Sequence, residues 1–446
     1  MMEKKTSLLS KSAICFAIFG LIFVFQITVF RDATIWKEKF RQIFSISKWS
    51  WDLKANSTAL ITCDRSNRRF DICSMNGPTL LNQTSLTLFS LATHTRTQHH
   101  IHVKIQPYTL KSDKNAMKSV REFTLTSAPP KSSQCDVTHH SPALIFNGRG
   151  YNGNFYHEIN DIFIPLFITM NSLFLEQDVI LVIADGMSWW FKKYDDLLST
   201  FSPRHKIIKT NNVTTTTHCF PSAVVGLIKH GPVTIDPKLL PYPKTLLDFH
   251  ALLRSAYIKS NNTLSYPNNN DKPRLTLVNR KGSSRVLLNQ EEVIKLAEDI
   301  GFNVNVFDSS KDPSVANTYR LIHSSNVLLG VHGAGLTNLF FLKQGSVVVQ
   351  IVPIGLEWPS KACYENPDEF LGLEYIGYKV NVNESSLSWE YGADSLMVKD
   401  PSTFAQGKWD KQKLYLKQNV KIDLFRFKKY LTLAYEKVKT SMNNTS

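Results

Sequence analysis

The sequence predicts an α/β architecture in which two Rossmann-like lobes face a cleft, behind an N-terminal membrane anchor. Three observations carry this reading. From Ser141 onward, apolar strand-like runs alternate with amphipathic helical stretches, the pattern of parallel sheets covered by helices. An Asn- and Pro-rich connector, "SNNTLSYPNNNDKP" (Ser260 to Pro273), interrupts the alternation, which then restarts. An uncharged stretch, "AICFAIFGLIFVFQITVF" (Ala13 to Phe30), precedes everything else.

That stretch, at about 1.5 Å per residue, nearly spans a hydrocarbon core of about 30 Å. No small-x-small cleavage site stands before Arg31. Lys4, Lys5 and Lys11 on its short N-terminal side favour a cytosolic N-terminus. The expectation is a single-pass type II membrane protein with a cytosolic tail over 1–12, a signal anchor over 13–30, a stem over 31–57 and a lumenal remainder. The formal charge of +15 invites a nucleic-acid partner. The Lys and Arg are scattered, however, and a lumenal topology removes that class. Sequons at Asn56, Asn82, Asn212, Asn261, Asn383, Asn443 and Asn444 agree with a secretory lumen. Cys15 lies in the anchor. Cys63 and Cys73 enclose a short polar loop and form the first expected disulfide, with Cys135 and Cys219 the second. The lumenal count is odd, which leaves room for a disulfide-linked partner or homodimer.

The first lobe is expected over 58–260. It opens with short alternating runs such as "LTLFSLATHT" and "HIHVKIQP", read as strands. After the loop "SAPPKSSQ", "ALIFNG" reads as a strand, "NFYHEINDIF" as a helix, "DVILVIADG" as a strand and "SWWFKKYDDLLSTF" as a helix. "HKIIKT" and "CFPSAVVGL" follow as strands, and "KTLLDFHALLRSAYIK" as a helix. The second lobe is expected over 274–446. "RLTLVNR", "FNVNVFD", "NVLLGV" and "SVVVQIV" are its strands. "NQEEVIKLAEDIG" is a helix with Asn289 as N-cap, Glu292 at the capping-box position and Gly301 as stop. "GLTNLFFL" is a short helix, and "KIDLFRFKKYLTLAYEKVK" a terminal one that packs back on a lobe.

Chemistry is concentrated at three places. In "NVLLGVHGAGLTNLFFL", His332 ends a strand, and Gly333, Ala334 and Gly335 lead into a helix starting at Leu336. Ligands of open parallel sheets sit on such loops, where bare N–H groups and a helix start receive phosphate. The competing reading is a tight turn whose glycines serve packing. In "VNRKGSSR", Arg280, Lys281 and Arg285 follow a neighbouring strand in the same lobe, and cations there suit a nucleotide diphosphate; a solvated basic loop is the alternative. In "GYNGNFYHEINDIFIPLF", His157 and Asp161 are spaced i, i+4 and share a helix face. A carboxylate beside an imidazole is a candidate general base for a sugar hydroxyl. Asn154 can cap that helix, Pro165 should kink it, and Glu158 is the competing carboxylate.

The order of "GYNGNFYHEINDIFIPLFIT", "NRKGSSR" and "GVHGAGLTNLFFL" behind a signal anchor resembles plant members of glycosyltransferase family 61. The likeness runs from about Ser141 to the C-terminus. It implies a GT-B-like fold, inversion at the anomeric carbon and residence in the Golgi membrane. By that resemblance the family's His-x-x-x-Asp element falls on His157 and Asp161, its Asn-Arg element on Asn279 and Arg280, and its His-Gly-Ala-Gly-Leu element on His332 to Leu336. Within the family the xylan-modifying group is favoured, so the expected reaction is transfer of xylose or arabinofuranose from a UDP-sugar to a xylan-type polysaccharide. Asp161 is favoured as the base, with His157 positioning it or the acceptor. The chain has no Asp-x-Asp triplet, so no metal is expected. N-glycan β-1,2-xylosyltransferase or O-linked N-acetylglucosaminyltransferase activity, a glycoside hydrolase and a non-catalytic glycan-binding scaffold remain the alternatives.

Overall fold

A computed structural model describes residues 59–92, 100–175, 177–210, 215–258, 272–282, 284–308 and 314–443. The expected anchor and stem, and Asn56, Asn212, Asn261 and Asn444, lie outside them. Among the described residues no helix is long and apolar enough to cross a membrane. The described chain is a mixed α/β structure built on three sheets.

The sheet after the connector is entirely parallel. Its strands lie in the order Asn303–Phe307, Arg274–Val278, Val327–Val331, Val347–Val352 and Glu374–Lys379. The chain leaves Arg274–Val278 for one side and crosses back to Val327–Val331 on the other. This leaves a switch point between those two strands, the usual ligand crevice of an open α/β sheet. Val327–Val331 and Val347–Val352 are buried along their whole length, as covered parallel strands must be. The terminal helix Leu424–Asn443 packs back on this sheet through Phe427, Leu431, Ala434 and Val438, one helical stripe.

The earlier part of the chain departs from a plain parallel sheet. Ala223–Val225, Ala143–Asn147, Ile180–Ala184 and Ile208–Thr210 run parallel, but Ile61–Asp64 and Ile72–Met75 extend that sheet antiparallel. A second sheet of mixed direction lies against it, and Leu81, Leu88, Phe123 and Leu125 meet Ile145, Ile180 and Val182 in one core. The run "CFPSAVVGL" is two strands in two sheets. Thr217–Phe220 joins the mixed sheet and Ala223–Val225 the other, and Pro221 between them lacks the N–H that a continuous ladder would need. Cys63 is joined to Cys73, and Cys135 to Cys219; Cys363 is free.

Two helical details also differ from expectation. Asn289 precedes the helix Gln290–Ile300 but does not cap it. Its amide instead bonds both ways to the backbone of Ile422 (2.9 Å each) and ties the C-terminal segment to the lobe. "SWWFKKYDDLLSTF" breaks at Tyr194 into Ser188–Lys193 and Asp195–Phe201. The helix Leu246–Tyr257 begins with a Thr245–Asp248 capping box. It packs against the later half of the chain, with His250 Nε2 at 2.9 Å from the Leu342 carbonyl and Tyr257 against Tyr319 and Phe341.

Candidate active site

Pro165 organises the first half of the site. It cannot donate to the Asp161 carbonyl. The chain relaxes not into a kink but into a π-turn, Glu158–Phe163, between Phe155–His157 and Ile164–Leu173. Single π-turns inside helices concentrate at functional sites. The freed Asp161 carbonyl accepts a hydrogen bond from Thr109 Oγ1 at 2.7 Å. Asn154 caps the first turn, accepting from the Tyr156 N–H at 3.1 Å.

This geometry delivers a His–Asp pair. His157 Nδ1 lies 2.6 Å from Asp161 Oδ2. The other carboxylate oxygen accepts from Asn160 Nδ2 (2.6 Å) and from the Lys229 ammonium. Asp161 and Lys229 are 0% and 4% exposed at the side chain, His157 24%. Burial alone would raise the Asp161 pKa, but Lys229 and His157 outweigh it and hold the carboxyl below its ordinary value. An ionised carboxylate only accepts, so Nδ1 of His157 is the donor to Asp161, and in the neutral imidazole Nε2 is the nitrogen left to accept a proton. Asp161, favoured from sequence as the base, has no exposed side-chain surface, and of the pair it is His157 that keeps some. Tyr151 backs the imidazole with ring centroids 4.6 Å apart.

Glu158, the competing carboxylate, is buried on another face. It accepts from the Gly153 N–H (2.8 Å) and from Trp190 Nε1 (2.5 Å). Burial raises its pKa from 4.5 to about 7 despite those two donors. Because the folded value lies above the unfolded one, stability is fully present below about pH 4.5 and is lost as pH rises toward 7. Glu158→Gln, which keeps a neutral group there, is expected to flatten this dependence. Thermal melts at about pH 5 and 8 should show a smaller loss of Tm in the variant than in the wild type.

The second half of the site stands at the switch point of the parallel sheet. The loop after Arg274–Val278 sends Arg280 and Arg285 toward the backbone of Gly333. A Cβ built on Gly333 would lie 2.6 Å from Arg280 Nη1 and 3.3 Å from Arg285 Nη1, so a side chain there would push the guanidiniums aside. Among the described residues neither meets a carboxylate. Arg280 Nε donates to the Ser284 carbonyl (2.8 Å), Arg285 Nη1 reaches only the His332 carbonyl at 3.5 Å, and Arg285 Nε has no partner. Burial lowers both pKa values, that of Arg285 to about 10 with Arg280 adding to the shift. Lys281 turns the other way and pairs with Asp308 at 2.7 Å. Asn279 donates its backbone N–H to the Phe307 carbonyl (2.8 Å).

His332, Gly333 and Ala334 form a braced turn. His332 is buried and its pKa falls to about 3, through burial first and then the two arginines. Nδ1 accepts from Gln350 Nε2 at 2.9 Å, with Ser360 Oγ at 3.1 Å. Tyr375 OH donates to Gln350 Oε1 at 2.7 Å, which fixes the amide's orientation, so Nε2–H is the donor His332 can offer a ligand. The segment Ala334–Phe341 is a 3₁₀ helix and not the α-helix expected. Gly335 allows the tight approach, since a Cβ there would meet Val278 at 2.5 Å. Leu336 is buried core; what its segment can offer a ligand is the N–H groups at its start.

Lys361–Glu365, a second π-turn, connects the halves. Cys363 Sγ donates to Tyr156 OH at 3.1 Å beside His157, and Tyr364 OH donates to the Gly333 carbonyl at 2.7 Å. A cavity of about 310 Å³ opens alongside, between Gly153, Asn154, Phe155 and Lys193 on one wall and Ala334, Gly335 and Asn338 on the other. Lys229, Gln350, Ser360 and Tyr364 were not singled out from sequence. Only Gln350, a polar residue inside "SVVVQIV", carried a signal there.

The Glycosyltransferase 61 family profile matches residues 155–349, which include both halves of this site. A xylan glycosyltransferase of Arabidopsis thaliana is 37% identical over 397 residues, covering 84% of this chain and 79% of the relative. The chain belongs to glycosyltransferase family 61. An alpha-1,3-arabinosyltransferase of Oryza sativa subsp. japonica is 35% identical over 84% of this family 61 chain and 65% of its own length. A beta-1,2-xylosyltransferase from the same organism is 31% identical over 84% and 83%. This family 61 enzyme is therefore a glycosyltransferase, and its profile match ends just short of Gln350, the amide that braces His332.

Proposed function

We propose that the chain transfers a pentose, xylose or arabinofuranose, from a UDP-sugar to a xylan-type polysaccharide with inversion at the anomeric carbon. The carrying observation is the pair of guanidiniums at Gly333, which meet no carboxylate among the described residues and are linked through the Lys361–Glu365 turn to the segment that carries the oriented histidine. The names of the relatives support the pentose and the xylan. A GT-B-like arrangement, with the parallel sheet as the donor lobe, accords with the switch-point position of the arginines. The reading keeps a Golgi type II topology, for which residues 13–30 are the anchor.

In this mechanism Nε2 of His157 takes the proton of the acceptor hydroxyl, while Asp161, itself held by Lys229, stabilises the imidazolium that forms. The hydroxyl attacks the anomeric carbon, and charge develops on the departing UDP. Arg280, Arg285, the N–H groups at Ala334 and Gly335, and Nε2–H of His332 are the preorganised donors for that charge. Two fixed cations supply what a divalent metal supplies elsewhere, so no metal is required. EDTA is expected to leave the rate within about 2-fold; loss of activity restored by Mn²⁺ would overturn this part.

The direct test is UDP release by the purified full chain over a panel of nucleotide sugars, with xylo-oligosaccharide, N-glycan and no-acceptor wells. Release that depends on xylo-oligosaccharide and on a UDP-pentose is the expected result; release confined to another donor or acceptor would refute the assignment. Arg280→Ala or Arg285→Ala is expected to weaken UDP binding about 10–100-fold, as loss of charge-assisted hydrogen bonds does. Calorimetric titration of UDP checks this.

A further inference from the structure

The helix Ser188–Lys193 presents two unlike faces. Trp190 is 0% exposed and its indole N–H is held by Glu158, and Phe191 is buried beside it. Trp189 is 44% exposed, although a large aromatic side chain normally seeks burial. Its Nε1 donates to Met187 Sδ at 3.0 Å, which restrains the ring's rotation. The outer edge of the indole approaches Gly153, where a built Cβ would stand 3.7 Å from it. Gly153, with φ +86° and its N–H on Glu158, is held to the same carboxylate as Trp190. Lys193, i+4 from Trp189 and so on the same helix face, lines the cavity opposite Ala334 and Gly335. The ring therefore stands beside the wall that carries Gly153, Asn154 and Phe155, next to the turn that delivers His157.

We propose that Trp189 is a stacking platform for a pyranose ring of the acceptor glycan, so that the Trp189–Lys193 face determines how the acceptor chain enters the cleft. This rests on the glycan-transfer reading above. A pyranose presents a flat array of C–H groups to an aromatic face, while its equatorial hydroxyls stay in water or reach donors at the edge. An exposed indole, restrained at its Nε1 and beside a side-chain-free glycine, suits that chemistry. The shared Glu158 bracing keeps the platform in register with the loop beside His157.

Initial rates of UDP release by the full chain, with the acceptor varied at saturating donor, test this. Trp189→Ala is expected to raise acceptor KM about 10-fold or more while kcat changes less than about 3-fold, and Trp189→Phe is expected to restore most of the loss. UDP affinity, measured by calorimetry, is expected to be the same in both variants as in wild type, which also shows that they fold. An unchanged acceptor KM in Trp189→Ala, or equal loss in the Ala and Phe variants, would overturn the platform. Wild-type chain that releases UDP with no glycan acceptor would instead overturn the glycan-transfer reading, and the platform with it.

Discussion

His157→Ala is expected to lower kcat for transfer by about 10²–10⁴-fold, the usual worth of a positioned general base. Acceptor KM and UDP affinity are expected to move little, because the imidazole acts on the proton in flight and not on ground-state binding. The structural basis is specific. Nδ1 of His157 is committed to Asp161 at 2.6 Å, so Nε2 is the basic nitrogen, and Asp161 is too buried to replace it. His157→Gln is expected to be almost as inactive, since an amide hydrogen-bonds but does not take a proton. Single-turnover transfer with a UDP-pentose measures the loss. An alanine variant that retained wild-type kcat would remove His157 from the chemistry.

Asp161→Ala is expected to do two kinds of damage. It removes the group that orients His157, and it leaves the Lys229 ammonium buried without its partner. Breaking a buried pair from one side costs about 3–5 kcal/mol. At roughly 2.1 cal/mol/K per residue, that lowers Tm by about 3–5 °C for a chain of this size. Lys229→Met is expected to strand Asp161 in the same way. The double replacement Asp161→Ala with Lys229→Met should recover much of the stability but none of the activity, the outcome that separates the structural from the chemical role. Thermal melts and rates on the three proteins check this. Strict additivity of the two single losses would show that the pair does not act as a unit.

The degree to which this was legible in the sequence follows the range of the interactions. Periodicity is local, so the parallel strands after the connector, Val327–Val331 and Val347–Val352 among them, could be read directly. The same holds for the stripe of the terminal helix and the i, i+4 spacing of His157 and Asp161. Long-range partners are not written in local pattern. Asn289 has the sequence signature of an N-cap, yet its amide is drawn to Ile422, far along the chain. "CFPSAVVGL" reads as one strand because sheet membership depends on neighbours that lie far away in sequence.

The site divides along the same line. Sequence alone determined which residue types stand at each strand end: the glycines that admit other groups, the arginines, and the imidazole–carboxylate spacing. It also determined the Pro165 that denies Asp161 its helical partner, though not that the chain would answer with a π-turn. Tertiary structure decided which of the pair faces solvent, because Lys229 buries Asp161 from a segment 68 residues away. It decided that Lys281 pairs with Asp308 while Arg280 and Arg285 meet no carboxylate among the described residues, and that burial and those two arginines hold the His332 pKa down, with Gln350 and Ser360 at its Nδ1. Charge and protonation depend on burial and on partners within a few ångströms, and a linear sequence does not contain those distances until the chain has packed.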